Sequence, residues 1–192
     1  MPEATLCAQG RDLRVALLLA GGALALYLAT GRFFIDNIDG ENYFLTTEAI
    51  LRGDIWLEQG ISGDWWAERG WKGRPYNPHG IGHPAAAIPF YLAARLVEPY
   101  LSVVSPQLVR RAAVTLLPPV VTATTVGLLF WFARRLGFRA RPSLAAAVIF
   151  AVGTPAWPYA RYYFSEPLAG LLLLATLYYL WQARSSDDPW AG

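Results

Sequence analysis

The residue types that carry chemistry concentrate in one stretch of this chain. Residues 32–74 hold eight of its fourteen acidic residues (Asp36, Asp39, Glu41, Glu48, Asp54, Glu58, Asp64 and Glu68) and four of its eight tryptophans (Trp56, Trp65, Trp66 and Trp71). A carboxylate placed within hydrogen-bond reach of a hydroxyl can act as a general base. A carboxylate just ahead of an apolar-periodic run can instead cap a helix. Asp39, in Asp39-Gly40-Glu41-Asn42, admits both readings. Glu41 either assists it, binds a metal, or is a solvated first-turn carboxylate favoured by the helix dipole. His79-Gly80-Ile81-Gly82-His83 has an i, i+4 pair. That spacing suits a metal only on one helical face, and the two glycines argue against a helix. Substrate or phosphate contact is therefore the better role for the two histidines, and no metal site is expected. Ser165-Glu166-Pro167 reads as a helix start, with Ser165 as cap and Pro167 in the first turn. Glu166 has a functional alternative, because an acidic side chain near lipid is costly without a partner. Arg161, five residues earlier, is the obvious one.

The elements that must position these residues are set by hydropathy. The 192 residues are 55% hydrophobic and only 16% charged, against about 25% charged in a soluble domain. A net charge of +2 gives no reason to expect nucleic acid as a partner, and the single cysteine, Cys7, excludes an internal disulfide. A membrane-crossing helix needs ~20 apolar residues. Four charge-free runs meet that length, Val15–Gly31, Ala112–Ala133, Pro142–Ala160 and Pro167–Ala183. The expected fold is accordingly all-α, a polytopic membrane helix bundle with spans at about 13–33, 108–133, 142–160 and 167–183. Residues 34–107 form an outer-face juxtamembrane loop. Pro118-Pro119 predicts a kink in the second span, since two backbone donors are missing there. Tyr43–Arg52 predicts a helix with Phe44, Leu45, Ile50 and Leu51 as its apolar side.

Sidedness follows from the arginines. Arg11 and Arg14 flank the first span, and Arg134, Arg135, Arg139 and Arg141 form the densest basic cluster. The positive-inside rule puts both in the cytoplasm, so an even number of crossings separates them. Pro75–Ala94, rich in proline and ending in a short helix from about Pro84 to Leu96, should then lie along the outer interface and not cross. Both termini are expected to be cytoplasmic. Tyr27, Leu28 and the continuation into Phe33-Phe34-Ile35 favour an uncleaved first span over a secretory signal.

On this layout the motifs resemble a family. A first span, the acidic motif Ile38-Asp39-Gly40-Glu41-Asn42-Tyr43, and an amphipathic stretch ending Arg52-Gly53-Asp54-Ile55-Trp56 look like the GT-C membrane glycosyltransferases. The nearest branch is that of the protein O-mannosyltransferases and the aminoarabinose-to-lipid-A transferases. Arg74-Pro75-Tyr76-Asn77-Pro78-His79-Gly80-Ile81-Gly82-His83-Pro84 resembles their Pro-rich juxtamembrane segment. Phe132-Ala133-Arg134-Arg135-Leu136-Gly137 resembles their basic cytoplasmic turn, and Tyr162-Tyr163-Phe164-Ser165-Glu166-Pro167 their acidic-Pro motif. The likeness covers about residues 12–184.

The resemblance implies inverting transfer of a sugar from a polyprenyl-phosphate-linked donor to an acceptor hydroxyl at the outer face of a bacterial inner membrane. Asp39 would be the base, with Glu41 beside it. Arg74, Tyr76, His79, His83, Arg161 and Glu166 would contact substrate, an arginine fork suiting the lipid phosphate. Some relatives carry a lysine in the Pro-rich segment where this chain has the two histidines. No cofactor is required by the pattern, although a divalent cation is possible. The family's enzymes continue for several more spans, so the chain is expected to be an N-terminal catalytic portion or to need a partner chain. The alternative expectation is a non-catalytic membrane module binding lipid-phosphate or a partner subunit.

Overall fold

The computed structural model describes residues 3–57 and 68–185. Glu58, Asp64, Trp65 and Trp66 lie outside them. The described chain is mostly helical: α1 (Glu3–Thr30), α2 (Ile38–Arg52), α3 (Gly82–Val97), α4 (Pro106–Val114), α5 (Leu117–Arg135), α6 (Ala140–Gly153), α7 (Ala156–Ala160) and α8 (Glu166–Ser185). Two-residue strands β1 (Glu68–Arg69) and β2 (Pro75–Tyr76) pair antiparallel between α2 and α3. The chain divides into two compact units. One contains α1, residues 118–161 and α8; the other contains residues 32–117 and Tyr162–Ser165.

The first unit is packed through small residues. Ala16, Ala23, Ala123, Ala147, Ala151 and Ala160 form its buried core with Tyr27, Val126 and Phe130. A Cβ at Gly127 would stand 2.9 Å from the Ala16 carbonyl oxygen, so α5 approaches α1 more closely than any side chain permits. Polar groups inside are satisfied locally. The Tyr27 hydroxyl donates to the Ala151 carbonyl at 2.9 Å, and Arg134 Nε meets Asp12 Oδ2 at 2.9 Å. The outward surface is apolar, with Leu17, Leu18, Ile149, Leu172, Leu173 and Leu180 all exposed. A helix apolar all round is suited either to the core of a protein or to lipid.

Among the described residues, two stretches are long and apolar enough to cross a membrane, Gln9–Thr30 and Pro106–Arg135. The first of the two later runs differs from expectation. Residues 142–160 are divided, because α6 has 14 residues and ends before Thr154-Pro155, where α7 begins. At ~1.5 Å per residue, α6 alone falls short of the ~30 Å hydrocarbon core. The α8 helix, with 20 residues, covers the expected run Pro167–Ala183. The expected kink at Pro118-Pro119 is a break at Thr115-Leu116. The two prolines cannot donate to the carbonyls of Val114 and Thr115, so the helix stops and restarts.

In the second unit α2 packs on α3, and α3 on α4. The α2 helix begins five residues earlier than expected, and its cap is not Asp39. Asn37, with extended φ/ψ, accepts the Gly40 N–H at 2.5 Å, which leaves Asp39 in the first turn. Its other end is closed by Gly53 at φ 85°, whose N–H reaches the Ala49 and Ile50 carbonyls. The buried face also differs. Leu51 is exposed, whereas Tyr43, Phe44, Thr46, Thr47 and Ala49 are inside. Burying the threonines is inexpensive because each donates to the carbonyl four residues back, Thr46 to Asn42 at 2.6 Å and Thr47 to Tyr43 at 2.9 Å. As expected, Pro75–Ala94 is irregular in its first half and helical in its second.

The glycines of the first unit are therefore not equivalent. Gly127→Ala should destabilise by about 1–3 kcal/mol through overpacking. Gly22→Ala, with nothing within 4 Å of its added Cβ, should be neutral or stabilising. Unfolding midpoints of the two variants in detergent check this difference.

Candidate functional site

The first turn of α2 presents two carboxylates, and the fold treats them oppositely. Glu41 is enclosed by α4. Its Oε1 accepts from Arg111 Nη2 at 2.6 Å, its Oε2 accepts from Arg111 Nη1, and the guanidinium lies over the Phe44 ring. Both side chains are about one-fifth exposed. Glu41 is thus neither a solvated first-turn carboxylate nor an unengaged ligand. Asp39, two residues earlier, faces outward with its side chain 48% exposed. Its Oδ1 is 3.0 Å from His79 Nε2, and in the Nε2–H tautomer His79 donates to it.

His79 is held from two directions. Its backbone N–H donates to Asn77 Oδ1 at 3.0 Å, and its ring stands 5.3 Å from Tyr43. His83 packs against the same tyrosine, 4.8 Å from Tyr43 and 4.7 Å from Tyr163 between ring centroids. The two histidines share no helix, since His79 precedes α3 and His83 opens it. They meet at Tyr43 instead. His83 is buried, and among the described residues neither ring nitrogen has a hydrogen-bond partner. Desolvation lowers its pKa to about 4, so it is neutral at physiological pH. Burial likewise raises the pKa of Tyr163. The Tyr43 hydroxyl donates to Ser165 Oγ at 3.1 Å, and Thr47 Oγ1 reaches the Pro84 carbonyl at 3.1 Å, tying α2 to its surroundings.

Arg74 is exposed, with its guanidinium 4.6 Å from the Trp56 ring centroid. Tyr76 is half-buried on β2, where its ring covers Gly70 so closely that a Cβ there would stand 2.6 Å from it. Arg161 and Glu166 belong to the other unit. There Arg161 Nε donates to the Thr30 carbonyl at 2.6 Å. Among the described residues no cation pairs with Glu166, so the expected Arg161–Glu166 pair is not formed. The described residues likewise contain no group of three His, Cys, Asp or Glu side chains able to hold a metal ion. With Glu41 committed to Arg111, this residue set does not fit a divalent cation.

Sequence reasoning missed the partners: Tyr43, Tyr163, Arg110 and Arg111. Arg110 Nη1 donates to the Tyr91 hydroxyl at 2.7 Å and lies 3.6 Å from Glu48 Oε1, while its Nε is 3.3 Å from Glu98 Oε2. The signal was present, because Arg110 and Arg111 are the only charges between Pro106 and Ala133. Charges at the head of an apolar run require counter-charges. Comparison with known proteins finds no matching family model, no matching curated protein and no matching solved structure.

Two consequences follow from these environments. The neutral His83 supplies stability present above its unfolded pKa near 6.5 and lost as pH falls toward about 4. The loss amounts to about 3 kcal/mol at ~1.4 kcal/mol per pK unit. Unfolding measured in detergent between those pH values should show this component in the parent and not in His83→Phe. Separately, Glu41→Gln leaves Arg111 without its counter-charge and should cost about 2–3 kcal/mol, whereas Asp39→Asn should cost under about 1 kcal/mol. The two midpoints, measured side by side, check that contrast.

Proposed function

We propose that this chain is a membrane glycosyltransferase, or the N-terminal catalytic part of one. It would transfer a sugar from a polyprenyl-phosphate-linked donor to an acceptor hydroxyl with inversion. The observation that carries the reading is the contrast within one helical turn. Glu41 is neutralised by Arg111, while Asp39 stays open with one oxygen held by His79 and the other available. In the proposed step Asp39 Oδ2 accepts the hydroxyl proton as the hydroxyl oxygen bonds to the anomeric carbon. The bond from that carbon to the phosphate oxygen breaks, and the electron pair leaves with the lipid phosphate. Arg74, exposed and 4.6 Å from the Trp56 ring centroid, is the proposed phosphate contact. Supporting the membrane setting are the two apolar stretches and the lipid-like exterior of the first unit. The proposed arrangement is multi-pass in a bacterial inner membrane, with the acidic segment outside and both termini cytoplasmic, as the arginine clusters favour.

Asp39→Asn should lower transfer by about 10²–10⁴-fold without reducing membrane insertion or abundance. The assay follows radiolabelled sugar from polyprenyl-phosphate donors in membranes carrying each variant, and undiminished transfer by Asp39→Asn removes the assignment of the base. A second reading, a non-catalytic module that binds lipid-phosphate, is favoured by the exposed Arg74–Trp56 stack alone. It expects photo-crosslinking of a lipid-phosphate probe to fall in Arg74→Ala, to be unchanged in Asp39→Asn, and to occur without turnover in any variant.

A further inference from the structure

The first unit contains a cavity of about 410 Å³ between α5, α6, α7 and α8, within the ~300–1,000 Å³ range of small-molecule sites. Three threonines line it, yet none offers it a free hydroxyl proton. Thr122 donates to the Pro118 carbonyl at 2.7 Å, Thr125 to Val121 at 2.8 Å and Thr154 to Phe150 at 2.7 Å. With their hydroxyl protons committed to the backbone, their methyl groups join the Phe150 ring and the bare backbone of Gly170 as an apolar wall. The one charged group on that wall is Glu166. It sits in the first turn of α8. Arg161, the nearest arginine in sequence, is tied to the Thr30 carbonyl, and among the described residues no cation pairs with Glu166.

An apolar trough with one carboxylate on its wall, unpaired among the described residues, matches a ligand with a hydrocarbon body and a cationic head. We propose that this cavity binds a bilayer phospholipid through one acyl chain, with a primary ammonium headgroup on Glu166. A primary ammonium both neutralises the carboxylate and donates hydrogen bonds to it; a quaternary ammonium can only neutralise. The site requires that this unit lie in a bilayer, and it does not depend on Asp39 being a base.

Native mass spectrometry of the detergent-purified chain, loaded with chain-matched phosphatidylethanolamine, phosphatidylcholine and phosphatidylglycerol, tests it. Phosphatidylethanolamine should be retained about fivefold over either of the others, and Glu166→Gln should bring that ratio near one. Gly170→Leu, at a position with nothing within 4 Å of its added Cβ, should fill the trough and reduce retention of all three lipids. An unchanged unfolding midpoint in both variants shows that the fold is kept. Equal retention of the three lipids by the parent overturns the proposal. So does a preference that survives Glu166→Gln, or lipid retention that Gly170→Leu leaves intact. Because the readout is lipid retention, loss of this site and failure of the transferase reading are separate results.

Discussion

The pairing of Glu41 with Arg111 is the interaction on which the second unit depends. It joins the first turn of α2 to α4 through two charge-assisted hydrogen bonds, with the guanidinium lying on Phe44. Removing either partner would strand a charge that is about four-fifths covered, a far larger penalty than losing a surface pair. Arg110 repeats the device one residue earlier, gathering Glu48, Glu98 and the Tyr91 hydroxyl from α2, the segment after α3, and α3. Adjacent arginines on one short helix thereby hold three neighbouring segments. The contrast between Glu41 and Asp39 follows from this arrangement. Once Glu41 is turned to α4, helical geometry turns Asp39, two residues away, toward a different face.

The first unit is held by another constraint. Its helices are held by close packing through small residues. Alanines and Gly127 allow backbones to approach, and the few polar side chains inside bond to backbone carbonyls nearby. Prolines then decide where its helices stop. Pro118-Pro119 and Pro155 each withdraw a donor from a helix that hydropathy alone would continue.

Around Tyr43 the fold accepts an unusual neighbour. A histidine with neither nitrogen bonded among the described residues is costly to bury. His83 meets that cost by remaining neutral between two aromatic rings. The same tyrosine supports the His79 ring that holds Asp39, so the buried and the exposed histidine share one aromatic neighbour.

Much of this was legible beforehand. The apolar runs, the irregular Pro-rich segment before α3, and the α2 helix as far as Arg52 all follow from local rules of donors, dihedrals and hydropathy. Asp39 stood out because carboxylates cluster around it. What misled was equally local. Asp39 and Asn37 are both good caps, and only the path of the preceding chain gave Asn37 the role. Thr46 and Thr47 look polar until their hydroxyls turn back on their own helix. Arg161 stands near Glu166 in sequence, yet its guanidinium is drawn to Thr30, 131 residues away. The helical character, the apolar runs and the inventory of charges were set by each residue and its near neighbours. Tertiary structure alone decided which carboxylate is neutralised and which stays open. That choice depends on Arg111 and His79, 70 and 40 residues distant from Glu41 and Asp39, and no local pattern encodes such a meeting.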